Sequence, residues 1–324
     1  MGYYIKTTDW AQFRKFIRYV NKEKKISKFR LWVFPFIASV KYNISLLEYF
    51  LFRFWEKSAD ERKQWAGTGF IYEYQLIMNP KQHRQTLLNK VEFLKHNAQF
   101  ISHRWFSVIN NDFESLRTFL EVVNGKVVLK NVVGNCGKGV QIVDSFVEKI
   151  EDIITFARNN NLTLVEEYIY QHKDLMRLSP TGLNTVRIFT QTVGDQVVIL
   201  GCRLRISVNS TVDNLAAGNM AAVIDEKTGI VTQSAVYSDI TKKTEIEHPV
   251  TKTAIVGFQI PFWNEIIEKV KAIALYNKEN RSIGWDIAVT DSGVDFIEGN
   301  HDWCKLVYQL PAGKGLRYEL LKYV

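Results

Sequence analysis

Three residues near the C-terminus, Asp286, Glu298 and Asn300, have the types and the spacing of a site for a divalent cation. They occupy two apolar runs, 284–290 and 294–300, which a short glycine-ended turn joins, so the pattern predicts a β-hairpin. Side chains alternate faces along a strand, which places Glu298 and Asn300 on the same face. The alternative interpretation is an ordinary surface hairpin that carries scattered acids.

The register of this hairpin decides whether the two acids meet. A loop of residues 291–293 would pair Thr290 with Val294. Counting back along the two strands then places Asp286 opposite Glu298. Like charges that face each other across a sheet are destabilising, whereas a hard cation between them makes the arrangement favourable. Oxygen-only ligation of this kind suits Mg²⁺, especially when phosphate oxygens complete its shell.

A glycine-rich stretch, 134–139, follows a strand-like run that ends in Lys130. Glycines let backbone N–H groups approach and cradle phosphate oxygens. The stretch is not a Walker A loop, because Lys138 is followed by Gly139, and its glycine order does not match the dinucleotide-binding fingerprint. A plain hairpin turn explains the glycines equally well. A lysine inside an apolar strand needs a partner, however, and a phosphate would serve Lys130.

Charged side chains also interrupt other apolar segments. Glu166 and Glu167 are adjacent in one strand-like run, and adjacent strand residues cannot both face water. Arg187 begins a later strand, and Arg203 and Arg205 share one face of the strand after it. Guanidinium groups suit carboxylate or phosphate oxygens. The alternative is a set of surface arginines on a solvated sheet face.

The charge of the chain is concentrated at one end. The 324 residues carry a formal net charge of +8, and residues 1–30 hold nine basic against two acidic side chains. The rest of the chain is therefore close to neutral, which argues against a large nucleic-acid-binding surface. A chain of this length can bury a large core and is expected to form two or three domains or lobes.

The cysteines and the N-terminus indicate a cytoplasmic protein. Cys136, Cys202 and Cys304 are unevenly spaced and form no C-x-x-C pair, which argues against a disulfide framework or a zinc site. This usage fits a reducing cytosol. The charged N-terminus lacks the sustained apolar region of a cleavable signal peptide. The apolar stretch 31–55 is interrupted by charges and falls short of a membrane span.

Two interpretations fit the N-terminal region. Residues 8–20 predict an amphipathic helix, and residues 29–55 are apolar, aromatic and flanked by basic residues. Residues 1–55 could form a helix pair on an anionic membrane surface. They could also form a helical cap packed on the body of the protein, which we favour because amphipathic stripes usually face a core.

The remaining pattern predicts an α+β protein of two lobes. Residues 60–125 are mainly helical, and a capping box of Ser145 and Glu148 predicts a helix that ends near residues 159–161. A helix is also predicted over 261–276. Strands are predicted at 162–170, 185–193, 196–207, 220–225 and 230–236.

In this order, the segments resemble the ATP-grasp superfamily, and most closely its branch associated with sugar transfer in bacterial capsule and exopolysaccharide gene sets. The segments that carry the resemblance are 88–90, 128–130 with the glycine-rich stretch, 165–169, 183–187, 212–218, 283–286 and 297–300. They cover roughly residues 85–310.

The resemblance implies an ATP-grasp fold, in which two α+β lobes hold ATP between them, with an extra N-terminal helical region. The implied parts are a basic and aromatic helical extension, 1–60, a helical region before the ATP-grasp part, 61–125, a small lobe with the glycine-rich loop, 126–170, and a large lobe with the metal site, 171–324.

The resemblance also implies roles for individual residues. The lysines that would hold the ATP phosphates are Lys90 and Lys130. The loop glycines that would fold over the phosphates are Gly137 and Gly139. The segment whose backbone would read adenine is Glu166, Glu167, Tyr168 and Ile169. The Mg²⁺ ligands would be Asp286, Glu298 and Asn300. The residues that would act near the transferred phosphate are Arg187, Arg205 and Lys130.

This chain departs from the family pattern at three places. Gly284 stands where related amino-acid ligases place an arginine, Asn219 stands where the sugar-associated branch has a second glycine, and residues 301–303 replace a Pro-Gly pair. These changes concern the acceptor side, whereas the ATP site is less affected.

The function that the resemblance implies is an ATP- and Mg²⁺-dependent carboxylate–amine ligase that acts through an acyl phosphate. It would join an amino acid to a uronic-acid-type sugar in bacterial surface polysaccharide biosynthesis, so its partners would be a sugar or glycan acceptor and an amino-acid amine, with no nucleic acid. The basic N-terminus could bring the enzyme to the inner membrane face. The alternatives are a sugar kinase of the same fold and a non-catalytic nucleotide-binding scaffold.

Overall fold

Two antiparallel sheets form the framework of the computed structural model, which describes residues 2–108, 112–132 and 140–324. The small sheet has the strand order β1-β4-β2-β3, and the large sheet has the order β7-β6-β5-β8-β9. The strands are β1 Trp105–Ser107, β2 Lys126–Lys130, β3 Val140–Asp144, β4 Leu164–Glu167, β5 Val186–Val193, β6 Gln196–Ile206, β7 Met220–Ile224, β8 Ser282–Thr290 and β9 Gly293–Asn300.

Helices precede the small sheet, connect its strands and cover the large sheet. The helices are α1 Gly2–Thr7, α2 Trp10–Lys24, α3 Lys28–Tyr42, α4 Leu46–Leu51, α5 Ala59–Lys63, α6 Thr68–Met78, α7 Gln85–Leu88, α8 Lys90–His96, α9 Ser115–Val123, α10 Ile150–Asn159, α11 Lys173–Leu178, α12 Trp263–Tyr276, α13 Lys305–Gln309 and α14 Arg317–Leu321. Short 3₁₀ helices lie at Phe54–Glu56, Lys81–His83, Ala98–Phe100 and Leu215–Ala217.

The large sheet is covered on both faces. Ile188 packs in the core that contains α12, whose buried side chains recur at helical spacing, whereas the next residue, Phe189, packs with Trp303 on the opposite face. Because both faces are covered, seven of the eight residues of β5 are buried, including the charged Arg187. The sheet thus places charged side chains of its inner strands in buried surroundings.

The N-terminal helices pack on the body of the protein. Helix α2 begins after Asp9, whose carboxylate accepts hydrogen bonds from the backbone of the first turn, and it buries Phe13, Phe16 and Ile17. These side chains join a core with α3 and α4. The predicted N-terminal helical region is confirmed. In the described residues no helix is long and apolar enough to cross a membrane.

Several local predictions were wrong. Helix α10 begins at Ile150, and Ser145 does not cap it, because the Ser145 hydroxyl bonds the backbone N–H and C=O of Gly125 at 3.0 and 2.9 Å. Residues 230–236 do not form a strand, since they meet neighbouring segments only at isolated pairs. Strand β1 lies within the segment predicted to be mainly helical and pairs with β4.

Candidate active site

The hairpin of β8 and β9 places Asp286 opposite Glu298, as the sequence predicted. The predicted loop was wrong by one residue, because Thr290 pairs with Gly293 and the turn has two residues. A β-bulge at Ile297 inserts one extra residue into β9 and restores the pairing of the two acids. The bulge thus fixes the geometry of the site.

Two arginines hold the buried carboxylate of Asp286. Arg187, on the adjacent strand β5, forms a two-point ion pair with it, and Nη1 of Arg205 lies 2.8 Å from its Oδ2. Burial alone would raise the pKa of Asp286, but the charges of the two arginines outweigh it and hold that pKa well below its usual range. Asp286 is therefore ionised and anchored.

The ion-pair network continues to a buried acid that sequence reasoning left without a role. Nη2 of Arg205 lies 2.6 Å from Oδ1 of Asp213 and donates to Oδ1 of Asn214 at 2.7 Å. Asp213 also accepts hydrogen bonds from the backbone N–H, at 2.9 Å, and the hydroxyl of Thr185. Its place in the motif 212–218 was the available clue, but only the fold brings it beside Arg205.

Glu298 lacks such compensation. Burial raises its pKa, and the charge of Asp286 raises it further. The side-chain amide N–H of Asn300 donates to Oε1 of Glu298 at 3.2 Å and to the Gly284 carbonyl at 3.3 Å. A positive charge beside these oxygens would relieve the repulsion between the two acids.

This donor set fits Mg²⁺. No group of three or more His, Cys, Asp or Glu side chains that could hold a metal occurs in the part of the chain that the structure describes. The site offers the carboxyl groups of Asp286 and Glu298 and the side-chain amide of Asn300, whose N–H group faces Glu298. Mg²⁺ is usually bound by one or two carboxylates while phosphate oxygens and water complete its shell, so the set is sufficient if a nucleotide is present.

Two lysines line the same cleft as these acids. Lys130, at the end of β2, forms an ion pair with the buried Glu166. Lys90 begins α8, and its backbone N–H donates to the Val132 carbonyl at 3.4 Å. Burial and the nearby charge of Lys130 lower the pKa of Lys90, and the charges of Glu298 and Glu166 oppose this shift.

Residues 166–169, at the end of β4 and just beyond it, also line the cleft. The carboxylate of Glu167 binds Arg104 at two points, at 2.9 and 3.0 Å, and so points away from the lysines. The N–H groups of Glu167 and Tyr168 donate to backbone carbonyls at 2.8 and 3.0 Å.

A cavity of about 200 Å³ lies between the two sheets and is lined by most of these residues, but Arg187 and Asn300 are not part of its lining. Its apolar lining is Val128, Val140, Ile142, Ile169, Leu183, Val212 and Ile297. Its charged lining is Lys90, Lys130, Glu166, Glu167, Arg205, Asp213, Asp286 and Glu298. The cavity has the division of a nucleotide site, with apolar surface for a base and charged groups for phosphates. Gly137 and Gly139 lie outside the described residues.

A buried histidine also borders this network and was missed by the sequence analysis. Nδ1 of His103 lies 2.7 Å from Oδ2 of Asp295, and its Nε2 lies 3.7 Å from Oε2 of Glu166. Asp295 additionally accepts the backbone N–H groups of Ser102 and His103 at 2.8 and 2.9 Å. This contact ties the segment before β1 to β9, and no local motif in the sequence indicates it.

Comparison with known families identifies this architecture. Residues 70–324 match the profile of the family described as sugar-transfer associated ATP-grasp. The chain belongs to this family, which confirms the predicted ATP-grasp fold with its N-terminal helical region. ATP-grasp ligases use ATP together with Mg²⁺, the predicted cofactors. No curated protein matches the chain at the threshold applied.

Solved structures show a distant likeness in fold. The ATP-grasp ligase PsnB complexed with minimal precursor is 16% identical, with a TM-score of 0.43, and the match covers 76% of this chain and 64% of that one. An L-amino acid ligase from Bacillus licheniformis is 13% identical, with a TM-score of 0.41 and coverage of 68% and 41%. D-alanyl-alanine synthetase A from Vibrio cholerae is 11% identical, with a TM-score of 0.40 and coverage of 67% and 56%. The chain thus spans less than two thirds of the length of each.

Proposed function

We propose that the chain is an ATP- and Mg²⁺-dependent ligase that joins a carboxylate to an amine through an acyl phosphate. The observation that carries this proposal is the cavity between the sheets, whose lining includes the lysines Lys90 and Lys130 together with the acids Asp286 and Glu298. A site that must hold a triphosphate and a cation needs charges of both signs. Family membership supports the same reaction class.

The proposed roles follow from the positions of the side chains. Lys90 and Lys130 bind phosphate oxygens, and Lys130 exchanges Glu166 for the phosphate when the nucleotide enters. Asp286, Glu298 and Asn300 would hold Mg²⁺, and the bound cation would offset the charge on the phosphate oxygens. Arg205 and Arg187 fix Asp286, and Arg205, which lines the cavity, supplies positive charge where the acyl phosphate forms. Most of the rate enhancement then comes from positioning and charge stabilisation.

We assign the two substrates from the family description, which names sugar transfer. The carboxylate would belong to a uronic-acid-type sugar, and the amine to an amino acid, in the assembly of a bacterial surface polysaccharide. Residues 126–170 and 171–324 would form the two lobes that close on the nucleotide.

The test is an assay with ATP, Mg²⁺ and a panel of hexuronic acids and amino acids, in which phosphate release and product mass are followed. The proposal predicts one amide product, lost in Glu298→Gln and kept in the surface control Glu319→Gln. A stable phosphorylated sugar would instead identify a kinase. Absence of turnover with every pair, despite nucleotide binding, would favour a scaffold.

We further propose that helix α3 places the enzyme on an anionic membrane surface from the cytoplasmic side. Phe29, Ile37 and Val40 lie along one side of α3 at helical spacing, and their side chains are 77%, 53% and 74% exposed. Exposed basic residues, Lys28 and Lys41, flank this apolar face. A helix of this kind lies in the interface plane of a bilayer.

A flotation assay with vesicles tests the membrane proposal. The wild type should float with vesicles that contain anionic lipid, and the variant Phe29→Ser/Ile37→Ser/Val40→Ser should stay in the soluble fraction. Since the three side chains are exposed, the variant should keep its thermal stability. If the variant floats as well as the wild type, α3 does not dock on the membrane.

A further inference from the structure

A second, larger hollow lies between the N-terminal helices and the large lobe. It has a volume of about 850 Å³, and none of its lining residues lines the cavity between the sheets. We call it the rear groove. One wall is formed by the end of α2 and residues 51–57, the other by residues 236–244, and Trp65 and Leu310 lie at its base. The first wall precedes residue 70, so it lies outside the family match.

Aromatic rings form much of the apolar surface of the rear groove. Tyr19, Trp55 and Tyr237 line it and are only partly buried. Flat rings that remain partly exposed in a concave site offer contact area to a ligand at low entropic cost. The hydrophobic faces of sugar rings have the shape and the C–H groups to pack against them.

The rear groove also carries positive charge that the protein does not neutralise. Its cations are Lys24, Arg53, Lys57, Lys242 and Lys243, and its acids are Glu23, Glu56 and Asp239. Glu56 pairs with Lys24 and Arg53, at 3.2 and 2.8 Å. Asp239 pairs at 2.6 Å with Lys15, which lies outside the lining.

The other three lysines, Lys57, Lys242 and Lys243, form no ion pair with an acid in residues 2–108, 112–132 and 140–324, and the lining acid Glu23 forms none with a base there, so three unpaired cations stand against one unpaired acid. The ammonium of Lys242 lies 4.2 Å from the ring centroid of Tyr237, and that of Lys57 lies 5.3 Å from the ring centroid of Trp65. Lysines and rings are thus interleaved. This combination suits a ligand that presents carboxylates and flat apolar faces in turn.

The rear groove is connected to the active site through one segment. The Ser238 hydroxyl donates to the Leu215 carbonyl at 3.0 Å, and Nζ of Lys242 lies 3.5 Å from the Gly218 carbonyl. The same segment carries Asp213 and Asn214, which hold Arg205 in the cavity between the sheets. A ligand in the rear groove would lie directly behind the residues that fix this arginine.

We propose that the rear groove binds an acidic oligosaccharide, whose carboxylates pair with Lys57, Lys242 and Lys243 while its sugar rings pack on Tyr237 and Trp55. The proposal rests on the proposed function and deepens it, because it makes the glycan acceptor an oligomer held at a second point. Binding in the rear groove requires neither ATP nor Mg²⁺.

Titration calorimetry without nucleotide tests this inference on the full chain. The probes are a tetramer of galacturonic acid and a neutral glucose tetramer of the same length. The wild type should bind only the acidic tetramer, and Lys242→Ala/Lys243→Ala should weaken that binding by about 10-fold or more, as the loss of two charge contacts implies. The exposed control Lys271→Ala and the active-site variant Lys130→Met should bind as the wild type does.

Each other result counts against the inference. If the neutral tetramer binds as tightly as the acidic one, the lysines do not select the ligand. If the double variant binds the acidic tetramer as the wild type does, the glycan does not bind at these lysines. If only Lys130→Met loses binding, the acidic tetramer binds in the active site. That result would be compatible with the proposed ligase reaction. Conversely, glycan binding in the rear groove with no amide product in the ligase assay would overturn the proposed function alone. Tyr237→Ala, with its thermal transition compared, provides a second disruption of the rear groove.

Discussion

The active site and the exposed face of α3 differ in whether their charged side chains are buried or exposed. In the active site, Arg205 is buried between Asp286 and Asp213, and the charges of these three side chains compensate one another within the chain. On α3, apolar side chains and the basic Lys28 and Lys41 all lie exposed. Internal compensation fixes the electrostatics of the active site before a ligand arrives. The face of α3 contributes little to the fold, so its value depends on an external partner.

The largest expected effect is on catalysis. Glu298→Gln should lower ATP turnover by about 100-fold or more, because it removes one anionic ligand of the cation that stabilises the phosphates. The burial that raises the pKa of Glu298 already favours a neutral side chain, so the variant should fold normally. Steady-state phosphate release measures the effect. Turnover within a few-fold of the wild type would show that Glu298 does not bind the cation.

The second prediction concerns the stability that the buried network provides. Arg205→Met leaves Asp286 and Asp213 short of a partner, so it should destabilise the fold by about 3–5 kcal/mol in urea denaturation. The control Arg158→Met removes a surface pair with Glu114 and should change stability by no more than about 1 kcal/mol. If the two substitutions lower the free energy of unfolding equally, buried and exposed ion pairs do not differ in their contribution to stability.

The third prediction separates charge from apolar contact on α3. Lys28→Gln/Lys41→Gln should weaken binding to anionic vesicles by about 1 kcal/mol per charge and reduce its salt dependence. Turnover in solution should not change, since both residues are exposed and lie outside the active site. Vesicle sedimentation at several salt concentrations measures this. If neither the two lysines nor the salt concentration affects vesicle binding, only the apolar face of α3 anchors the protein.

The smallest expected effect is on the stability of the fold, and it comes from a partly exposed ion pair. Lys15→Ala removes the ion pair with Asp239 and should cost at most about 1 kcal/mol at neutral pH. Burial alone would raise the pKa of Asp239, but the bonds from Lys15 and Thr241 lower it below 3.8. The pair therefore stabilises the fold above pH 3.8, and this contribution is lost as the pH falls through the lower folded pKa. Below that pKa, the variant and the wild type should have the same free energy of unfolding in chemical denaturation. A difference in this free energy that grows as the pH falls would contradict this assignment.

The sequence predicted the facing pair of acids from a turn of three residues, and the pairing holds only because a second local feature compensates for that error. It could not predict the bulge at Ile297, which corrects a turn that is one residue shorter than expected. It also could not show that Arg187 and Arg205 hold Asp286, since this depends on β5 lying between β6 and β8 in the sheet. Strand order of this kind is set by packing between segments that are distant in the sequence.

The N-terminal region shows the same limit. The amphipathic pattern of residues 8–20 predicted a helix packed on the body, and α2 buries that face. The stretch 29–55 admitted two interpretations, and the structure divides it, since α4 is largely buried whereas α3 exposes one apolar side. Composition alone cannot tell which apolar helix finds an internal partner.

A crystal structure of the complex with a non-hydrolysable ATP analogue and Mg²⁺ tests the central claim most directly. We predict the triphosphate between Lys90 and Lys130, with the metal about 2.1 Å from a carboxylate oxygen of Glu298, the distance typical of Mg²⁺. A nucleotide bound outside the cavity between the sheets, or a metal with no oxygen ligand from β8 or β9, would contradict the account.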